Sequence, residues 1–186
     1  MAVERQRITV EQFDTFVEQS ENDDKLFEYI GGEIVEVPSN PLSSMIAALV
    51  LAEIINYLKR NNIGVATGAD GGYMVSGERY VPDAAFIAYE RQPNLPDRGY
   101  NPNPPNLAVE VVSDETSARE LDRLMTKVGN FVAAGTMVWV FYPQAQVARV
   151  HAPGQPIQVI ERDGILDGGD VLPGFKFSLS DIFPQR

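Results

Sequence analysis

Two acidic residues lie within apolar segments that are typical of β-strands: Asp83 follows Val81 and Pro82, and Glu110 lies inside the run 107–112. Carboxylates are among the side chains least often buried, unless they are paired or bind a metal ion. If the two segments are neighbouring strands and the acids converge, their oxygens form a hard-ligand site of the kind that Mg²⁺ prefers.

Each acid also has a structural interpretation. Pro82 is tolerated near the start of a strand, and Asp83 would then cap a turn. Glu110 would form a buried salt bridge with an arginine. An unpaired Glu110 in a central strand would be protonated or would cost on the order of several kcal/mol. Both interpretations stand beside metal binding and acid–base chemistry.

A lysine and a third acid complete the set of candidate residues. At about 100° per residue, Lys127 falls about 40° from Phe131 on the predicted third helix, at the rim of its apolar stripe. Its methylenes can cover the core while its ammonium reaches the sheet edge, or it can be an ordinary surface lysine. Glu28 lies in a predicted hairpin between two aromatic residues, where an exposed strand glutamate is the alternative.

Composition excludes several classes of site. The 186 residues include no cysteine, which excludes disulfides, zinc-thiolate sites and thiol nucleophiles. The single histidine, His151, excludes multi-histidine metal sites and argues against a Ser-His hydrolase. We interpret His151 as structural. The hydrophobic fraction of 44% and charged fraction of 22% are those of a globular protein, and one domain over 1–186 is expected.

The formal net charge of −11 argues against broad, non-specific binding of nucleic acid. A local basic groove and bound divalent ions can offset it, and carboxylates at a metal site are part of the negative count. The N-terminal residues lack an apolar signal segment, and the longest apolar stretch, 45–58, is interrupted and too short to span a bilayer. We therefore expect a cytoplasmic protein with no membrane partner.

The hydrophobic pattern and the turn residues predict a layered domain. Helices are predicted at 10–19, 42–61 and 118–134, the first and third opened by capping boxes at Thr9 and Ser117. Strands are predicted at 26–30, 33–37, 64–67, 73–75, 82–89, 106–113, 137–142, 145–151, 155–162 and 167–172. Helices on both sides of a mixed sheet make an α/β (α+β) domain of three layers.

The order of these segments resembles the PD-(D/E)XK nuclease superfamily and, more closely, the Uma two family of restriction-endonuclease-like proteins. The matching segments are FEYIGGEIV (27–35), VPDAAF (81–86), PNLAVEVVS (105–113), DRLMTK (122–127) and AAGTMVWVFYP (133–143). They run over nearly the whole chain. The resemblance implies a restriction-endonuclease-like core, a mixed β-sheet flanked by helices, as a single domain over 1–186.

The resemblance also implies a site. Asp83 and Glu110 would bind Mg²⁺ or Mn²⁺, with the backbone carbonyl of Val111 as a further ligand. The superfamily's usual lysine, two residues after the glutamate, is replaced by Val112, and the resemblance assigns its place to Lys127. Glu28 matches an acid that joins from the N-terminal part, which gives the catalytic set Glu28, Asp83, Glu110 and Lys127.

Other positions depart from the family. Ser43 and Ser44 lie where members often carry a histidine at the start of the second helix. After Lys127, the residues Gly129, Asn130 and Phe131 replace the more usual basic-and-tyrosine continuation.

The resulting hypothesis is a metal-dependent endonuclease that hydrolyses phosphodiesters, with DNA as the expected substrate. The metal would polarise the scissile phosphate and lower the pKa of a bound water, and Lys127 would orient that water or stabilise transition-state charge. The alternatives are a catalytically inactive interaction module on a nuclease fold, and an enzyme for a small phosphate ester. The apolar C-terminal strands and Trp139 lead us to expect a homodimer.

Overall fold

The computed structural model describes residues 7–22, 25–37 and 40–183. These residues form three α-helices and twelve β-strands. In chain order they are α1 (Val10–Val17), β1 (Phe27–Ile30), β2 (Glu33–Glu36), α2 (Pro41–Leu58), β3 (Gly64–Gly68), β4 (Tyr73–Val75), β5 (Glu78–Tyr80), β6 (Ala84–Ala88), β7 (Leu107–Val111), α3 (Ala118–Ala133), β8 (Met137–Tyr142), β9 (Val147–His151), β10 (Gln158–Ile160), β11 (Ile165–Asp167) and β12 (Lys176–Ser178).

The helices begin at capping residues. Thr9 and Gln12 form the predicted capping box of α1, each side chain accepting the other's backbone N–H. At α3 only half of the predicted box forms. Ser117 Oγ accepts the N–H of Glu120, but Glu120 Oε1 accepts the N–H groups of Ser113 and Asp114 instead. The Glu120 side chain therefore ties the start of α3 to the chain that leaves β7.

A six-stranded mixed sheet forms the centre of the molecule, in the order β10-β9-β8-β7-β6-β3. The β7–β8 pair is parallel and the other neighbours are antiparallel. Parallel neighbours need a crossover connection, which α3 provides. Every residue of β7 and β8 is buried, as expected of strands covered on both faces.

Two cores lie on the two faces of this sheet. On one face α2 packs with the segment around β11 and β12, and Trp139 stacks on Phe175 with ring centroids 5.6 Å apart. On the other face α3 packs with a four-stranded sheet in the order β2-β1-β5-β4. The predicted fold class is thereby confirmed, a mixed sheet flanked by helices in an α/β (α+β) domain.

Helix α2 is mostly apolar, although Glu53 and Asn56 interrupt its apolar run. By length and composition, with a mean hydropathy of 1.6, its 18 residues could cross a membrane, and 33% of them are buried within the protein. Core helices of water-soluble proteins have the same properties, so this single helix is weak evidence. The absence of a membrane partner stays a prediction.

Candidate active site

The register of β6 and β7 brings the two acids predicted from sequence together. Ala84 pairs with Val109 in this antiparallel ladder, and one further step places Asp83 opposite Glu110. Opposed residues of an antiparallel pair project on the same face, with Cα atoms about 4.5–5.5 Å apart. Asp83 and Glu110 therefore share the face that α3 covers.

Asp83 is held by the backbone of the neighbouring strand. Its Oδ2 accepts the N–H of Val111 at 2.7 Å. Burial raises the pKa of Asp83 to about 6, although the Val111 N–H and the charge of Lys127 both lower it. The carboxyl group therefore gives up its proton only as the pH rises through about 6, and its ionised form is available near neutrality.

Glu110 lies in the middle of the cluster and is 7% exposed. Its Oε2 accepts from Lys127 Nζ at 2.8 Å, while its Oε1 is buried and has no hydrogen-bond partner among the described residues. Burial raises the pKa of Glu110, and the neighbouring acids Glu28 and Asp83 add to the rise. One oxygen of this carboxylate is thus paired and the other is available.

Lys127 reaches the acids from α3, as the helical-wheel argument allowed. Its Nζ lies 2.8 Å from Glu110 Oε2 and 2.7 Å from Glu28 Oε1, and its side chain is 8% exposed. Burial by itself lowers the pKa of Lys127, but the two carboxylates outweigh it and raise the pKa above the ordinary value. The lysine is therefore a buried, protonated hydrogen-bond donor.

Glu28 comes from β1 of the small sheet and is buried, at 4% exposed, rather than an exposed strand residue. Its Oε1 accepts both Lys127 Nζ and the N–H of Val81, at 2.7 Å each. Val81 lies two residues before Asp83, so Glu28 links the lysine to the segment that carries the first acid. The structure brings all four predicted residues into one cluster.

Tyr80, at the end of β5, is a member of this neighbourhood that the sequence did not identify. The Lys127 Nζ lies 5.9 Å from the centre of its ring, within the range of a cation–π contact. Its hydroxyl accepts from Asn130 of α3 at 2.6 Å. Burial raises the pKa of Tyr80, so its hydroxyl stays neutral.

The four side chains lie in a cleft of about 310 Å³ between α3, the ends of β6 and β7, and the β1–β2 hairpin. Its other lining residues are Ile30, Val35, Glu36, Val37, Val81, Val111, Val112, Ser113, Ser117, Arg119, Glu120, Arg123 and Leu124. His151 is not among them. It lies in β9 opposite Val138.

The donor set fits a hard divalent cation. A buried carboxylate oxygen without a donor, such as Glu110 Oε1, is a group that a cation would satisfy. Among residues 7–22, 25–37 and 40–183, no three His, Cys, Asp or Glu side chains are grouped as a metal cage. Two carboxylates are nevertheless what Mg²⁺ commonly uses when substrate phosphates and water supply the other oxygens.

Comparison with known proteins identifies the family. None of the curated proteins matches the chain. The crystal structure of "a putative nuclease belonging to DUF820" from Anabaena variabilis superimposes with a TM-score of 0.77 at 22% identity, over 95% of this chain and 97% of that one. At this identity the likeness establishes the fold. The model of the Uma2 family, described as "Putative restriction endonuclease", matches residues 10–180, and the chain therefore belongs to this nuclease-like family.

Proposed function

We propose that this protein is a metal-dependent endonuclease that hydrolyses phosphodiester bonds, with DNA as its substrate. The observation that carries the proposal is the meeting of two strand-end carboxylates, Asp83 and Glu110, with a buried lysine ammonium in one cleft. Paired acids with a positive donor suit phosphoryl transfer, in which catalysis is mostly positioning and charge stabilisation.

Asp83 and Glu110 would hold Mg²⁺ or Mn²⁺. The carbonyl of Val111 would be the further ligand, since the N–H and C=O of a strand residue point to the same side and the Val111 N–H meets Asp83. Such an ion, when bound, supplies Lewis acidity at a phosphoryl oxygen and a water of lowered pKa.

Lys127 acts as a donor rather than a base, because its raised pKa keeps it protonated. Its three N–H groups can serve Glu28, Glu110 and one oxygen of a phosphate that carries negative charge. Glu28 acts through the lysine, because it fixes the ammonium and, through Val81, the chain segment before Asp83.

A non-catalytic interaction module is the second candidate, and one observation favours it. Lys127 already pairs with both Glu28 and Glu110, as a purely structural ion cluster would. Calorimetric titration with Mn²⁺ separates the two candidates. The enzyme should give binding heat that Asp83→Asn removes, whereas the module should give none.

The direct test is cleavage. Purified protein with Mn²⁺ should cut plasmid DNA, and Asp83→Asn and Glu110→Gln should each lower the rate at least about 100-fold, since each removes a charge that stabilises the transition state. Asp163→Asn is the matched control, because this carboxylate is 91% exposed in a turn. RNA and free nucleotides as competing substrates test the choice of DNA and the small-ester alternative. Equal cleavage by all variants would refute the assignment of the acids.

The homodimer and the cytoplasmic location are carried forward as proposals. Trp139, which contributed to the expectation of a dimer, is fully buried in the core of one chain, so it supplies no surface for a second copy. Val159 lies in the outer strand β10 and Ile157 lies just before it. Their exposed fractions of 53% and 58% make them the apolar surface that a second copy could contact instead. Light scattering on the purified protein measures the oligomeric state directly.

A further inference from the structure

The cations that line the cleft all lie on α3, one turn apart. Arg119, Arg123 and Lys127 occupy positions i, i+4 and i+8 of the helix, which places them on one face at intervals of about 6 Å along the axis. Their side chains are 55%, 25% and 8% exposed, respectively. The helix therefore presents a row of positive charge from solvent down to the buried acids.

The two arginines are held in place from the other wall of the cleft. Glu33 Oε2, on β2, accepts from Arg119 Nη2 at 3.3 Å and from Arg123 Nη2 at 2.6 Å. A guanidinium carries five N–H donors in a rigid fork, and in both arginines Nη2 meets Glu33 Oε2. The remaining donors of both groups are oriented but not consumed by this contact.

The acids in the cleft make these arginines necessary for an anionic ligand. Five carboxylates line the cleft, those of Glu28, Glu36, Asp83, Glu110 and Glu120, against three cations. Lys127 is already shared between two of the acids. Any polyanion that enters must therefore be bound mainly by Arg119 and Arg123, in addition to any divalent ion at the acids.

We propose that Arg119 and Arg123 bind consecutive backbone phosphates of the nucleic-acid strand whose next phosphodiester lies at Glu110 and Lys127. The inference rests on the proposed function and deepens it, because it assigns the strand's path along α3. A guanidinium fork binds phosphate through two parallel hydrogen bonds, and the spacing along the helix lets one strand meet successive side chains. Glu33 competes with these phosphates for the positive charge of the two guanidinium groups.

Binding can be measured without cleavage. Fluorescence anisotropy with labelled 20-nucleotide DNA and RNA, single-stranded and duplex, is recorded on the protein with Asp83 and Glu110 intact. Ca²⁺, a hard cation that carboxylates bind, replaces Mg²⁺, and the signal is read while gels show that the nucleic acid is uncut. Arg119→Gln and Arg123→Gln are added singly and together. Arg60→Gln is the matched control. The N-terminal end of α2 contacts Ser113 and Val112 of the cleft, whereas Arg60 is exposed just beyond the C-terminal end of this helix. Comparing DNA with RNA, each as a single strand and as a duplex, shows which nucleic acid binds to the arginines most tightly.

Each arginine substitution should weaken binding at 0.1 M salt about five-fold for single strands and about eight-fold for duplex. The salt slope, which is the slope of the logarithm of the binding constant against the logarithm of the salt concentration, should become shallower by about 0.7 for single strands and about 0.9 for duplex. Arg119→Lys should keep most of the slope. Glu33→Gln should tighten binding, because it removes the competing carboxylate. Arg119 is mostly exposed, and its ion pair contributes little to stability, so its effect cannot be attributed to unfolding.

The inference is overturned if the double arginine variant binds as the Arg60→Gln control does, or if the protein with Ca²⁺ binds neither polymer. Cleavage by the otherwise unmodified chain separates this failure from that of the proposed function. If the chain cleaves DNA but its affinity does not depend on the arginines, the proposed function is retained and the phosphate site at the arginines is rejected. If nucleic acid binds through the arginines but is never cleaved, the chain has a nucleic-acid site and the proposed nuclease activity is rejected.

Discussion

Lys127 donates to two buried glutamates at once, and no other side chain of the cluster contacts as many of its members. A buried lysine by itself tends to lose its proton, and a buried glutamate tends to gain one. In this cluster the positive charge of Lys127 and the negative charges of the two glutamates stabilise each other. The same contacts hold the ammonium where a phosphate oxygen would be bound, so stability and chemistry depend on one residue.

Replacing Lys127 by Met should therefore destabilise the protein strongly. The substitution leaves Glu28 and Glu110 without a counter-charge, and breaking a buried ion pair in this way costs about 3–5 kcal/mol. The loss should shrink in acid, because burial raises the pKa of Glu110 and its protonation removes an uncompensated charge. Urea unfolding at pH 7 and pH 5 measures both effects.

Lys176→Met is the control for this prediction, since Lys176 forms an exposed pair with Asp167 at 3.2 Å. Exposed pairs are worth about 0–1 kcal/mol. Equal losses for the two lysine variants would mean that the cluster around Lys127 does not need its positive charge.

The four residues of the cluster were identifiable from sequence for different reasons. Glu110 stands out as a charge in an apolar strand, and Lys127 lies at the rim of a helical stripe, so local patterns were informative. Asp83 stands out in the same way as Glu110, as a carboxylate beside an apolar strand segment, whereas the role of Glu28 came from the family resemblance. Tyr80 was missed, because its burial depends on the docking of α3 and on strand β5, which no local pattern indicated.

At the scale of elements, β7 organises the site, because it pairs with β6 through Ala84 and Val109 and is followed by α3. The long helices, the hairpin and the strands β7 and β8 were predicted from their strong periodicity or continuous apolar runs. Strands β5 and β12, and β11 apart from Asp167, were missed because each has only three residues, at least one charged side chain and little alternation. Residues 167–172, predicted as a strand, are mostly a turn after β11, in which Gly168 donates to and accepts from neighbouring backbone.

His151 in β9 provides a pH prediction for the central sheet. Burial, and to a lesser extent Arg149, lower the pKa of His151 below its ordinary value, and its Nε2 is buried with no hydrogen-bond partner among the residues that the structure describes. The unfolded chain therefore binds this proton more readily than the folded one does. Stability from this residue is present above the unfolded pKa, near 6.5, and is lost as the pH falls through that value towards the lower folded pKa.

His151→Gln should flatten the loss of stability between about pH 6.5 and 5, measured by urea unfolding. Because the chain has one histidine, proton NMR of the imidazole reads its pKa without assignment. An imidazole that titrates at or above about 6.5 would contradict the buried environment of β9.

At the scale of the whole molecule, the site exists only where the layers meet. Glu28 comes from the four-stranded sheet, Asp83 and Glu110 from the six-stranded sheet, and Lys127 from α3. The ion pair between Arg79 and Asp14, at 2.8 Å, joins the small sheet to α1. No single element carries the chemistry, so docking of the small sheet on α3 is a condition for the complete cluster.

Part of the net charge of −11 can also be assigned to one region of the molecule. Part of it is concentrated in the five carboxylates of the cleft. Because three cations also line the cleft, one divalent ion there would neutralise the remaining formal negative charge and so favour a phosphate. An acidic protein can in this way have a site for an acidic polymer, provided that the metal is bound first or together with it.

The proposed chemistry depends on a divalent cation shared by Asp83 and Glu110. Anomalous scattering from crystals of the protein grown with Mn²⁺ tests it most directly. We expect one strong peak within bonding distance of oxygens from both carboxylates, and no such peak in Asp83→Asn crystals. Manganese bound elsewhere, with Lys127 still paired to Glu110 and no ion at the two acids, would contradict the account and leave the cluster as a structural salt bridge.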